Sequence, residues 1–364
     1  MDFPEGGSPR RTPKIRHACS ACYKLFNKKE HLVEHMKISY HSAHQPKCGV
    51  CQKHCKTFES LREHLKGPLA KEHCSSVFSE RGCNMCMNVF DSSATLNEHA
   101  GLCQLSPVLS PWDGKELSTE AETGKSLVVD RNGDCSCTKA IAIDCEMVGG
   151  GIDGSVDLCA RVCLVDEDEN VMFHTYVNPQ SQIIDFRSDI TGITEDHLRD
   201  AMPLKDVQDN ILKILSNGAS VEDETSQGGK AKLLVGHDLA HDLDGLRMRY
   251  PANLLRDTAK YRPLLKTNLV SHSLKYLTKA YLGYDIQTKK HDPYEDCVSA
   301  MRLYKRMRAL EHKVAGAVIQ NSNKDLECFL MEELEKMTPD ELYMMSKPDY
   351  RCWCLDSGPR STRP

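Results

Sequence analysis

The chain has 364 residues, 40% hydrophobic but only 6% aromatic, which is long enough for two or more domains with an ordinary core. With no signal-peptide pattern and no long apolar run, it is expected neither to be secreted nor to span a membrane. A formal net charge of -5 speaks against an electrostatic grip on nucleic acid by the chain as a whole, but the charge is uneven: residues 1–105 hold 15 Lys+Arg against 10 Asp+Glu, and the remainder 32 against 42.

Residues 1–16 read as a disordered N-terminus, and 17–104 as three small metal-bound modules. Nine of the 18 Cys fall in the first 105 residues among nine His, and without a secretory signal that mixture favours zinc over disulfides. Cys19, Cys22, His35 and His41 follow Cys-x2-Cys-x12-His-x5-His, and Cys83, Cys86, His99 and Cys103 follow Cys-x2-Cys-x12-His-x3-Cys. Both place a Phe four residues after the second Cys (Phe26, Phe90) and a Leu three before the first His (Leu32, Leu96). These apolar pairs are the small core of a ββα zinc finger, which folds only around its Zn²⁺. Cys48, Cys51 and His64 repeat the frame, with Cys55 at the Phe position, Leu61 in place and a displaced fourth ligand, Cys74 in preference to His73.

The positions that would face DNA bases are Lys28, His31 and Glu34, then Thr57, Ser60 and Glu63, then Ser92, Thr95 and Glu98. None is an Arg able to grip guanine, and Glu ends each set. Structured RNA or a protein partner suits these fingers better than sequence-specific DNA.

Residues 105–137 are rich in Ser, Pro, Gly and charge without periodicity and read as a flexible linker, with Cys135 and Cys137 as stray thiols. Then comes AIAIDCEMVGGG, Ala140–Gly151, a buried strand bearing Asp144 and Glu146 on one face. Adjacent carboxylates repel, and a hard divalent cation would remove that penalty; the plain alternative is a solvated strand end. Leu158–Asp166 and Val171–Asn178 complete a three-stranded meander around an acidic turn, Asp166–Asn170. Asp189–Gly192 reads as a turn, and 194–215 as one helix. Residues 217–230 look like a disordered surface loop.

Lys232–Gly236 is a fourth strand running into the helix HDLAHDLDGLRM, where Asp238 and Asp242 compete for a site at the strand end. Ser273–Leu282 reads as a helix. In KKHDPYEDCVSAMRLYKRM, Asp292 suits an N-cap, Pro293 the first helical position and Glu295 a capping box. His291 and Asp296 then occupy positions where an apolar staple is the rule, and that mismatch points to function. The spacing alone has little weight, since His237 and Asp242 share it. Lys289 and Lys290 are either phosphate contacts or a solvated charge run. Residues 316–364 read as a helix around Asp325–Met337 followed by a tail.

The order DxE, then GHxxxxD, then HxxxxD resembles the DEDDh 3′–5′ exonucleases. AIDCEMVGGG, LCARVCLVD, YVNP, DFRSDITGIT, LVGHDLAHDLDGL, DTAKY, SLKYLTKAYLG and HDPYEDCVSAMRLY resemble the branch of RNA exonuclease 4 and the interferon-stimulated exonucleases, over about residues 140–310. The finger arrangement CGVCQKHCKTFESLREHLKGPL resembles that of plant zinc-finger exonucleases. The resemblance implies an α/β, ribonuclease H-like mixed sheet flanked by helices over 138–315. It implies that Asp144, Glu146, Asp242 and Asp296 hold two Mg²⁺ or Mn²⁺ and that His291 is the general base. Asp242 is preferred to Asp238 because the family acid follows GHxxxx. Met147 and Arg187 match positions that contact the terminal nucleotide; a core Met and a surface Arg are the alternatives. The expected function is metal-dependent 3′–5′ trimming of RNA, including ribosomal precursors, in the nucleus or nucleolus, with the basic RRTPKIR run in support. The alternatives are a DNA exonuclease and a zinc-finger adaptor with an inactive nuclease fold.

Overall fold

A computed structural model describes residues 16–112, 140–216, 231–310, 312 and 326–357. It divides into two compact units, one formed by Met1–Lys56 with His312–Arg351 and the other by Thr57–Glu311 with Cys352–Pro364. Of the N-terminus expected to be disordered (1–16) and the expected linker (105–137), residues 1–15 and 113–137 lie outside the described residues, as does the whole of the expected loop 217–230. Among the described residues no helix is long and apolar enough to cross a membrane.

The first unit begins with an antiparallel hairpin, β1 (His17–Ala18) and β2 (Leu25–Phe26), followed by α1 (Lys29–Ser39). In the second unit α2 (Phe58–Lys66) and α4 (Ser93–Cys103) start at side-chain caps: Thr57 accepts from the Ser60 amide, and Ser92 and Thr95 form a full capping box. Between them lies α3 (Glu72–Arg81).

The second unit is built on a seven-stranded mixed sheet, an α/β arrangement flanked by helices as the resemblance implied. Its strands are β3 (Ala140–Gly150), β4 (Val156–Val165), β5 (Val171–Asn178), β6 (Ile183–Asp185), β7 (Met202–Pro203), β8 (Leu233–Gly236) and β9 (Leu255–Asp257). The order is β7-β5-β4-β3-β8-β9, with β6 paired to the end of β3. The expected meander β3-β4-β5 is antiparallel, whereas β8 runs parallel to β3. β3 is central, and its alternation decides what each side chain meets. Ile141 and Ile143 enter an apolar cluster with Val162 and Leu164, while Asp144 and Glu146 take the opposite face.

The helices of this unit are α5 (Ser188–Thr191), α6 (Glu195–Leu198), α7 (Leu204–Ser216), α8 (Leu239–Gly245), α9 (Leu274–Tyr281) and α10 (Pro293–Arg308). α7 and α8 cover the Ile141 cluster with Val207, Ile211, Leu239 and Leu243. The single helix expected over 194–215 is two, broken at the short strand Met202–Pro203. Pro203 lacks an amide and holds its predecessor in extended backbone, so a continuous helix cannot pass it. The expected turn at Asp189–Gly192 is a single helical turn stopped by Gly192, whose φ of 71° favours glycine. Asp292 caps α10 by accepting from the Tyr294 amide, as the sequence suggests. Glu295 does not close the expected capping box; its Oε2 accepts from the Gln287 amide at 2.9 Å.

The first unit ends in α11 (Met331–Lys336) and α12 (Pro339–Met345), where the sequence reading placed a helix and then a tail. Leu334 and Leu342 pack with Leu326 against Leu32, Val33 and Met36 of α1. Lys29 Nζ donates to the Met337 carbonyl. In the second unit the chain end turns over Trp353–Ser357, with Trp353 stacked on Tyr261 at 3.8 Å between ring centroids. Arg256 donates twice to Asp356, both at 2.7 Å and both side chains buried.

Candidate active site

The central feature is a small cavity of about 250 Å³ whose lining includes Asp144, Glu146, His291 and Asp296. β3 supplies the first two acids. A register shift between Glu146 and Met147 bends the strand there, as bulges beside active sites do. Glu146 sits opposite Arg161 in the β3-β4 register, which places a guanidinium beside the acid. Asp296 lies in the first turn of α10, and the His291 amide donates to the Ile190 carbonyl at 2.7 Å, tying the segment before the cap to α5. Ligand atoms of Glu146, His291 and Asp296 all lie within 4.8 Å of one another.

Asp242, on the first turn of α8, is buried but does not line this cavity. It is close enough to Asp144 for its charge to act there. Asp238 points elsewhere: its carboxylate is exposed and pairs with Lys260 at 3.4 Å. Of the two acids, Asp242 is the buried one.

The electrostatics follow from crowding. Burial, and after it the carboxylates of Asp296, Asp242 and Glu146, pushes Asp144 well above the usual range. Burial and then Asp296 raise Glu146 to about 8, against the pull of Arg161. Burial lifts Asp296 to about 7, opposed by a hydrogen bond from Gln287. Burial also raises Asp242, opposed by the Cys145 amide. Burial and then Lys275 lower His291 and favour its neutral ring.

Among the described residues, Asp242 Oδ2 and Asp296 Oδ1 are buried without a hydrogen-bond partner. Buried acceptors of this kind are costly unless protonated or bound to an ion. A hard cation with oxygen ligands answers both that cost and the mutual repulsion, so these residues fit divalent metal.

Two further residues line the cavity beyond the expected site set: Gln287, which nothing in the sequence marks, and His237, the His of GHxxxxD. Gln287 Nε2 donates to Asp296 Oδ2 at 2.8 Å, and His237 reaches the cavity with its Nδ1 2.9 Å from Thr258 Oγ1. Met147 is placed in the apolar core against Gly245, outside the lining. Arg187 donates to Asp157 Oδ1 at 2.6 Å and to the Gly154 carbonyl at 3.1 Å, also outside it.

Two of the three expected zinc sets are gathered within single units. Cys19, Cys22, His35 and His41 bring their ligand atoms within 4.8 Å of one another, and so do Cys83, Cys86, His99 and Cys103. Cys22 Sγ is 3.3 Å from His35 Nε2, Cys86 Sγ is 3.3 Å from His99 Nε2, and Cys83 Sγ is 3.8 Å from Cys103 Sγ. A sulfur pair 3.8 Å apart is no disulfide, and it matches an edge of about 3.8 Å for a tetrahedron with zinc–sulfur bonds near 2.3 Å. Phe26 and Phe90 lie against His35 and His99, at 4.9 and 4.4 Å between centroids. Of the middle set, Cys48 and Cys51 belong to the first unit, and His64 and Cys74 to the second. Cys74 is buried on α3, and His73 beside it is exposed.

The sequence profile of the Exonuclease family matches residues 141–304. RNA exonuclease 4 of Candida glabrata is 34% identical over 192 residues, covering 52% of this chain and 68% of that protein. RNA exonuclease 4 of Xenopus tropicalis is 32% identical over 54% of this chain and 46% of its own length. Interferon-stimulated 20 kDa exonuclease-like 2 of Bos taurus is 37% identical over 51% of this chain and 50% of its own. The chain thus spans about half the length of the latter two. Among solved structures, the apo Pan2 pseudoubiquitin hydrolase-RNA exonuclease module of Saccharomyces cerevisiae aligns with a TM-score of 0.42 at 24% identity, over 52% of this chain and 31% of that one, too faint a likeness to add weight. The chain belongs to the Exonuclease family, in the branch of RNA exonuclease 4 and the interferon-stimulated exonuclease-like proteins.

Proposed function

We propose that this protein is a metal-dependent 3′–5′ exonuclease that trims or degrades RNA. The observation that carries this reading is the convergence of Asp144, Glu146, His291 and Asp296 on one cavity, with Asp242 buried in electrostatic reach. Asp144, Glu146, Asp242 and Asp296 would hold two Mg²⁺ or Mn²⁺. When bound, such ions supply Lewis-acid stabilisation of the reacting phosphate and an acidified water. The protein's own residues do the rest. His291 accepts the water proton through a ring nitrogen, and its lowered pKa keeps that nitrogen unprotonated at neutral pH. Arg161 tempers the repulsion around Glu146. Gln287 fixes one oxygen of Asp296 and so aims the other.

RNA rather than DNA is the substrate favoured by the names of the relatives, ribosomal precursors are the substrate class we assign, and a nuclear or nucleolar site of action follows from that assignment. The Cys/His sets are proposed as three zinc fingers that bind structured nucleic acid or protein. In the second and third, Thr57 with Ser60 and Ser92 with Thr95 bond to each other at their helix starts. Hydroxyls engaged in capping are poor readers of base edges.

The test is release of nucleotides from 3′-labelled and 5′-labelled single-stranded RNA in Mg²⁺. The expected result is stepwise loss from the 3′ end, abolished in Asp144→Ala. Equal turnover by Asp144→Ala and wild type would overturn the enzyme assignment. Faster loss from a DNA of matched sequence would reassign the substrate.

A further inference from the structure

Beside the catalytic cavity lies a larger one of about 600 Å³, within the range of about 300–1,000 Å³ usual for ligand sites. His291 lines both. One wall comes from outside the meander. Residues 105–112, expected to begin a flexible linker, are docked on the second unit: the Leu105 amide donates to the Leu282 carbonyl at 2.9 Å, and Arg302 to the Ser106 carbonyl at 2.8 Å. Upstream, Arg306 donates to the carbonyl of Cys103, the last member of the third Cys/His set. Trp112 of this segment is half-buried at the cavity wall.

The chemistry of the lining is that of a polynucleotide channel. Trp112 stacks on His174 at 4.1 Å and 30°, Tyr176 stacks on His197 at 5.0 Å and 21°, and the Arg161 guanidinium lies over both Trp112 and Tyr176. Successive aromatic faces with a guanidinium between them stack bases of any sequence. The acids of the lining are already engaged: Asp285 pairs with Lys279, Asp292 with Arg161, and Glu295 accepts from Gln287. Lys289 and Lys290 are exposed and make no ion pair among the described residues, so their charge is available to phosphates.

We infer that this cavity is the binding site for the single-stranded RNA leading up to the scissile bond, and that the segment leaving the third Cys/His set completes it with Trp112 as a base-stacking wall. The inference deepens the proposed nuclease function and rests on it. The third finger then acts as a fixed part of the substrate channel, a positioning element for the chain of the RNA.

The experiment uses the intrinsic fluorescence of the full chain, whose two tryptophans are Trp112 and the buried, Tyr261-stacked Trp353. A 20-nucleotide RNA is titrated with Ca²⁺ replacing Mg²⁺. The expected result is saturable quenching that is lost in Trp112→Phe, whose affinity stays within about threefold of wild type, and about tenfold weaker binding by Trp112→Ala, measured by anisotropy of a labelled RNA. Quenching that persists in Trp112→Phe, or equal binding by Trp112→Ala and wild type, would overturn the inference. Tighter binding by Trp112→Ala would overturn it too and make the segment an obstruction. The outcomes for the two readings are separable: quenching without RNA hydrolysis in Mg²⁺ sinks the nuclease assignment, and hydrolysis without quenching sinks the channel.

Discussion

Gln287 Nε2 donates to Asp296 Oδ2 at 2.8 Å, while Asp296 Oδ1 has no hydrogen-bond partner among the described residues. One amide thus saturates half of a buried carboxylate and leaves the other half directed at the cavity. Partners of this kind orient ligands, and losing one typically costs 10–100-fold in metal affinity or activity. Gln287→Ala is expected to raise the Mg²⁺ concentration for half-maximal activity by about that factor, with a smaller effect on secondary structure. Metal titration of the nuclease rate and circular dichroism check it.

His291→Ala is expected to lower kcat by about 10²–10⁴-fold, the usual contribution of a positioned base. The wild-type pH–rate profile should carry a second sign of the proposed role. Burial holds His291 below its ordinary value, so the acid limb of the rate profile should fall below pH 6.5. Loss of that limb in His291→Ala, with the metal dependence kept, is the expected pattern.

His174 should make the fold acid-sensitive. Burial and then Arg161 lower it to about 3, so the folded state resists a proton that the unfolded chain takes up near pH 6.5. The unfolded state binds more protons between those values, and stability therefore falls as pH drops from about 6.5 toward 3. His174→Gln keeps an acceptor for Arg161 but cannot charge. Its urea midpoint should decline less than that of wild type between pH 7 and pH 4.

Zinc content is expected to be three ions per chain by elemental analysis, falling to two in Cys86→Ser. Because the third set leads directly into the docked 105–112 segment, that variant should also weaken binding of the 20-nucleotide RNA. An unchanged zinc content would remove the finger assignment for this set.

Much of the nuclease unit is written locally in the sequence. The β-branched run ending in Asp144 and Glu146, and the Asp292-Pro293 start of α10, each carry their own signal, and α10 follows that cap. α12 carries one as well: Thr338, Pro339 and Glu341 form a complete capped start in a stretch the sequence reading left as tail. Gln287 and Trp112 are different. A lone Gln in a polar loop and a lone Trp in a Ser- and Pro-rich one have no period or cap to mark them. Their meaning comes from the distant residues they meet, Asp296 and His174.

The turn at Trp353–Ser357 bears on how this protein can be dissected. A fragment cut at the boundaries suggested by motif content, residues 138–315, would keep every catalytic candidate yet lose Asp356. Arg256 would then be a buried guanidinium without its carboxylate, a defect that typically costs about 3–5 kcal/mol, and Tyr261 would lose its stacking partner. The excised nuclease should prove poorly soluble or inert for reasons unrelated to chemistry. Reattaching residues 352–357, which begin 44 positions beyond the end of α10 at Arg308, is what such a dissection requires.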